Sequence, residues 1–226
     1  MWLTLLAGRL ANIVSLSSQP LTPRATQIVA AARELLEQEG VEGLTMRRLA
    51  DRLGIRAPSL YKHFADKAAV EAAVISDGFA ELADAFERAT ADAADPLRAL
   101  ASAYREFART QPHLYRLMTE RPLPRAELPP GIEDRAALPL HEALGGDADL
   151  ARAAWAFAHG MTNLELNGRF PEDADLDAAW DRGLAAFRDA GPSGPAPPPA
   201  AAPSAPTGRT DRSPSTRGTG RESRRR

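Results

Sequence analysis

The 226-residue sequence predicts an all-α protein, three short helices followed by a bundle of longer ones. Three observations predict it. Apolar residues recur along most of the chain at i, i+3, i+4 and i+7, the period of one helical face. Alternating apolar and polar runs are missing and β-branched residues are scarce, so no strand emerges. Proline, glycine, threonine and aspartate fall where helices start and stop.

The first helix begins at Thr22, an N-cap, with Pro23 at the position where a missing N–H costs nothing. Ile28, Ala31, Ala32, Leu35 and Leu36 form its apolar face, and Gly40 supplies the stop. Thr45 caps a second helix, Met46 to Leu53, and Gly54 permits the sharp turn after it. A third runs from about Pro58 to Phe64. From Asp66 the pattern lengthens: Ala68, Ala72, Ile75, Phe79, Leu82 and Phe86 form a coiled-coil-like stripe. Asp95–Pro96 opens the next helix, with Leu97, Leu100, Tyr104 and Phe107 inward, and Pro112 opens another to about Glu120. The prolines of RPLPRAELPPG mark a loop. Helices from Ile132 to Leu144, Asp147 to Leu166 and Leu176 to Ala190 complete the fold, the second with Leu150, Ala154, Phe157, Met161 and Leu164 on one side.

The two ends read differently. Residues 1–21 form an apolar stretch interrupted by Arg9 and Asn12, with no charge before it. It is short for a membrane span and lacks the layout of a signal peptide, so a disordered or loosely docked arm is expected, or an over-extended reading frame. Residues 191–226 are rich in Pro, Ala, Gly, Ser and Arg, without a large apolar side chain, and are expected to be a disordered tail.

Charge is unevenly spread. Residues 24–67 carry 8 Lys and Arg against 6 Asp and Glu, whereas residues 68–190 carry 12 against 22. A basic N-terminal unit on an acidic body suits a polyanion contact confined to one face. Cysteine is absent, which excludes a disulfide scaffold, thiol catalysis and thiolate zinc sites. His113, His141 and His159 lack metal-ligand spacing, and no nucleophile–base pair or phosphate loop occurs. Neither an enzyme nor a metal or other cofactor is expected.

The segment LTMRRLADRLGIRAPSLYKHFADK carries the functional signal. Two short helices joined by a glycine turn make a helix-turn-helix, whose second helix enters the major groove of duplex DNA. Leu44, Leu49, Ala50, Leu53, Ile55 and Leu60 are required to be apolar to pack the pair. Arg56, Ala57, Ser59, Lys62 and His63 are left facing outward. With Tyr61, Phe64 and Lys67 in register, residues 24–72 resemble the DNA-binding domain of TetR-family transcriptional regulators. HLYRLM and WAFAHG, at residues 113–118 and 155–160, look like the family's C-terminal subgroup with a Trp-His-Gly signature.

The resemblance implies roles. Thr45 would cap its helix and meet a phosphate, and Arg47 would reach the backbone or a base. Arg56, Ala57, Pro58 and Ser59 stand where family members touch bases. Tyr61 and His63 would contact phosphates, Lys62 the backbone or a base, and Lys67 a phosphate at the start of the connecting helix. Arg48 and Arg52 read chiefly as a solvated face. Arg56 occupies a cap position that is often Ser, which places the cap in doubt but adds a guanidinium able to read guanine.

The expected organisation is a helix-turn-helix DNA-binding domain at 22–67 and a ligand-binding and dimerisation domain at 68–190. Most aromatic residues of the second domain read as core. Phe107, Tyr115, Met118, Trp155 and His159 nevertheless suggest an apolar pocket with a few polar groups. The implied protein is a cytoplasmic homodimer, with no membrane partner, that binds a double-stranded operator as a repressor. A small-molecule effector would release it. The alternative is a constitutive or architectural DNA binder whose second domain only dimerises.

Overall fold

The computed structural model describes residues 21–190; the expectations for the arm and the tail lie outside the described residues. Among the described residues there are nine helices and no strand. Here they are α1 (Pro23–Gly43), α2 (Met46–Arg52), α3 (Ala57–Leu60), α4 (Lys67–Thr90) and α5 (Pro96–Thr110). They continue with α6 (Pro112–Thr119), α7 (Ile132–Ala143), α8 (Ala148–Leu166) and α9 (Leu176–Ala190).

Local chemistry accounts for the boundaries. Thr22, Thr45, Asp66, Asp95 and Asp147 each accept a backbone N–H of the helix they precede, satisfying donors that have no intrahelical partner. After α2, Ile55 N–H donates to Ala50 O at 3.0 Å and Gly54 N–H to Asp51 O at 3.1 Å. That double bond pattern needs a left-handed residue between, and Gly54 has φ 64°. Gly40 differs from expectation. Its φ of 71° breaks the helix, but helical backbone resumes after it to Gly43.

Helix α3 is shorter than expected. Arg56 makes no side-chain cap, Pro58 lacks an N–H, and the chain leaves the helix at Tyr61. A four-residue helix cannot stand alone in water. It is anchored by Leu60, fully buried, whose transfer from water contributes about 2 kcal/mol. Leu49 and Ala50 of α2 and Ile28, Ala32, Leu35 and Leu36 of α1 complete the core of the head.

Helix α4 is the spine. It packs against α1 on one side and α5, α6 and α7 on the others. Its buried stripe starts at Val70 rather than at Ala68, which is exposed in the first turn, where no neighbouring helix covers it. One apolar core runs from Ala25 of the head to Ala136 of α7. A second, smaller one joins α5, α7, α8 and α9 around Leu97, Ala151, Trp180 and Leu184.

Two polar links fasten head to body. Arg33 of α1 pairs with Asp77 at 2.6 Å and Glu81 at 2.5 Å, both on α4, and also donates to Gln111. Glu37 of α1 accepts from the backbone N–H of His113 at 3.3 Å and Leu114 at 2.7 Å, capping α6 from another part of the chain.

Candidate nucleic-acid interface and effector cavity

The helix-turn-helix puts a distinct set of side chains on its outer face. Thr45, Arg47, Arg56, Pro58, Lys62 and His63 are exposed, Tyr61 is 53% exposed, and Ala57 and Ser59 are half-buried. The expected outward positions therefore share one surface, with Lys62 and His63 in the turn following α3 rather than within it. The Thr45 hydroxyl accepts from Arg48 N–H at 3.3 Å, so it caps α2 while remaining at the surface.

The basic residues divide into two groups. Arg48 pairs with Glu39, and Arg52 with Glu34 at 2.7 Å and Gln38 at 2.9 Å, so both brace α2 against α1. Arg47, Arg56 and Lys62 form no ion pair among the described residues. Lys67 departs from the expectation of an outward phosphate contact. It is half-buried; its Nζ donates to Val41 O at 3.1 Å and lies 3.3 Å from Glu71.

In the body, a cavity of about 310 Å³ opens between α4, α5, α6, α8 and the loop after α6. Phe107, Tyr115, Met118 and Trp155 line it, as the sequence suggests. His159 stands behind the wall: its Nδ1 is 2.7 Å from the Tyr115 hydroxyl, and its ring stacks on Trp155 with centroids 5.8 Å apart. Sequence reasoning missed the loop. Arg121, Leu123 and Arg125 of the proline-rich segment fold over the end of α6 and form part of the lining. Adjacency to the helix bearing Tyr115 and Met118 was the only available signal. Phe79 and Leu82 of α4 also line it, so the connecting helix is itself a wall. A second space of about 200 Å³ shares Leu82, Tyr104 and Trp155 with the first.

A polar chain crosses these walls. The Tyr104 hydroxyl donates to that of Tyr115 at 3.4 Å, and the Tyr115 hydroxyl lies 2.7 Å from His159 Nδ1. Burial pushes the Tyr115 phenol up to about 12 and Tyr104 well above its ordinary value. Burial lowers the His159 imidazole, against the opposing charge of Glu120. A neutral imidazole accepting at Nδ1 from the Tyr115 hydroxyl is consistent with that direction.

Several apolar side chains of α8 expected to face inward, and Phe187 of α9, are only partly covered. Leu164 is 41% exposed, and Leu150, Phe157, Met161 and Phe187 are half-buried. No helix of the described residues is long and apolar enough to cross a membrane.

Comparison with known proteins agrees with this architecture. The family model described as bacterial regulatory proteins, tetR family, matches residues 28–74, and the tetracyclin repressor-like C-terminal domain matches residues 97–187. The chain is 30% identical over 182 residues to the uncharacterized HTH-type transcriptional regulator Rv0681 of Mycobacterium tuberculosis, covering 76% of this chain and 83% of that one. It is 54% identical to the class C tetracycline repressor of Escherichia coli over 43 residues, 19% of this chain and 20% of that one. A solved protein of unknown function from Rhodococcus sp. RHA1 superposes with a TM-score of 0.64 at 26% identity, over 78% of this chain and 100% of that one. With the head, the body and a relative spanning most of the chain in agreement, this protein belongs to the TetR family of transcriptional regulators.

Proposed function

We propose that the protein is a repressor released from a pseudo-palindromic operator by a small-molecule effector. One observation carries the reading. The unpaired basic side chains of the head, Arg47, Arg56 and Lys62, lie on the outer helix-turn-helix face, and the helix that leaves this head is a wall of the cavity. A molecule seated against Phe79 and Leu82 touches α4 directly, and α4 is clamped to α1 through Arg33. Effector contacts that differ between two positions of α4 would then change the placement of the heads. Coupling of about 1–3 kcal/mol is typical of such linkage and suffices to weaken operator binding markedly.

Thr45, Arg47, Arg56, Ala57, Pro58, Ser59, Tyr61, Lys62 and His63 form the proposed DNA surface. Lys67 joins it only if duplex phosphate draws it from Val41 and Glu71. The half-covered apolar face of α8 and α9 supports a homodimer in which a second copy completes a four-helix interface. Two heads about 34–36 Å apart then meet successive major grooves. The work would take place in the cytoplasm, where the DNA is. A constitutive binder whose body only dimerises is disfavoured by a ligand-sized cavity lined with aromatic and polar groups.

The test is to sequence the genomic fragments that the purified protein retains at physiological salt. A recurring inverted repeat is expected. Retention no better than that of random DNA refutes the reading.

A further inference from the structure

Every charged side chain lining the two adjoining spaces is an arginine: Arg121 and Arg125 in the larger, Arg152 in the smaller. No carboxylate lines either, although residues 68–190 carry 22 acidic against 12 basic side chains. The remainder of the larger lining is chiefly apolar or aromatic, including Phe79, Leu82, Phe107, Met118 and Trp155. We propose that the effector is an amphipathic anion, an apolar body with one carboxylate-type head, and that the head seats on Arg121. This rests on the reading of the cavity as the effector site.

Arg121 is held loosely enough to accept such a head. Its Nη1 lies 3.7 Å from Glu71 Oε1, beyond the ~2.7–2.9 Å of a charge-assisted hydrogen bond. Glu71 Oε1 is itself buried and accepts no hydrogen bond. Arg125 is more firmly held, 3.1 Å from Glu133, and lends charge from the rim. Glu71 also lies 3.3 Å from Lys67, at the DNA-proximal end of α4. When a ligand head draws Arg121 away, the buried Glu71 charge keeps Lys67 as its remaining close cation. Lys67 is then held away from the duplex. Arg121, Glu71 and Lys67 thus link the cavity to the head through one shared carboxylate.

The experiment compares octanoate, octan-1-ol and octylamine, matched in chain length, by calorimetric titration of the full chain without DNA. Octanoate is expected to bind about tenfold or more tightly than the alcohol, and the amine more weakly than either. Arg121→Gln should remove the advantage of octanoate while leaving the alcohol unchanged. Glu71→Gln, which removes the competing carboxylate, should strengthen octanoate binding. A purely structural role for the pair would not produce these opposite signs. Equal binding of acid and alcohol, preference for the amine, or no octanoate binding at millimolar concentration overturns the proposal. Since DNA retention is measured separately, such a result leaves the operator reading standing, whereas loss of operator preference alone strikes that reading and not the ligand class.

Discussion

Replacing Glu37 by alanine should loosen α6 from the head. Helix α6 begins at Pro112, which has no N–H to satisfy. Tyr115 N–H already donates to Gln111 O at 2.9 Å, leaving the amides of His113 and Leu114. Both are taken by Glu37, at 3.3 and 2.7 Å, and the Gln111 side chain provides no cap. Only the shorter contact has the length of a strong bond. A hydrogen bond to a charged group contributes about 1.5–3 kcal/mol, and a carboxylate at a helix N-terminus about 0.3–1 kcal/mol more. Because Glu37 is half-buried, water replaces part of this, and the expected loss is about 2 kcal/mol. For a chain of this size that corresponds to about 4–8 °C in Tm. Glu37→Gln keeps an acceptor for Leu114 and should lose about half as much. Thermal unfolding followed by circular dichroism, at one fixed protein concentration because dimerisation shifts Tm, measures both. If Glu37→Ala unfolds within 1 °C of the parent, the cap is not holding α6 and the polar link assigned to Glu37 is wrong.

Three further outcomes are expected. Removing Lys62 or Arg47 should weaken binding to operator and random duplex alike and reduce the salt slope by about one unit each, with dimerisation unchanged; an unaltered slope excludes a phosphate contact. Gly78→Ala places a methyl 2.7 Å from Met118 Sδ and 3.2 Å from Leu114 Cδ1, so the cavity-lining Met118 side chain must shift. Helix propensity gains about 1 kcal/mol and crowding costs about as much or somewhat more. Stability should therefore change little while ligand affinity drops; unchanged affinity contradicts this geometry. The third concerns His159, whose folded pKa is depressed by burial. Below about pH 6.5 the unfolded imidazole takes up a proton that the native one refuses, so stability falls as pH drops from there toward the folded value. His159→Gln should flatten that part of the Tm-versus-pH curve, and an identical curve in the variant assigns the effect elsewhere.

Much of the fold is legible in the chain because its signals are local. Thr22, Thr45 and Asp95 announce helix starts through bonds to amides three residues on. Gly54 marks the one turn that requires a left-handed residue between α2 and α3. The outward set Arg56, Lys62 and His63 follows from the same short-range periodicity, since the apolar partners Leu49, Ala50 and Leu60 fix which way the other faces point. Phe107, Tyr115, Met118 and Trp155 were legible as residue types, and the structure brings them to one cavity.

What the sequence alone determined, then, is the helical class, the positions of most helix boundaries and which side chains of the head stay at the surface. These depend on contacts within one or two turns of helix. Tertiary structure alone decided that Glu37 caps a helix 77 residues away, that the loop carrying Arg121 folds over the cavity, and that the Lys67 ammonium reaches Val41 O of α1. The physical reason is common to all three. A charged side chain is directed by whichever partner the packed core brings within reach, and local spacing carries no record of a partner supplied by a distant helix.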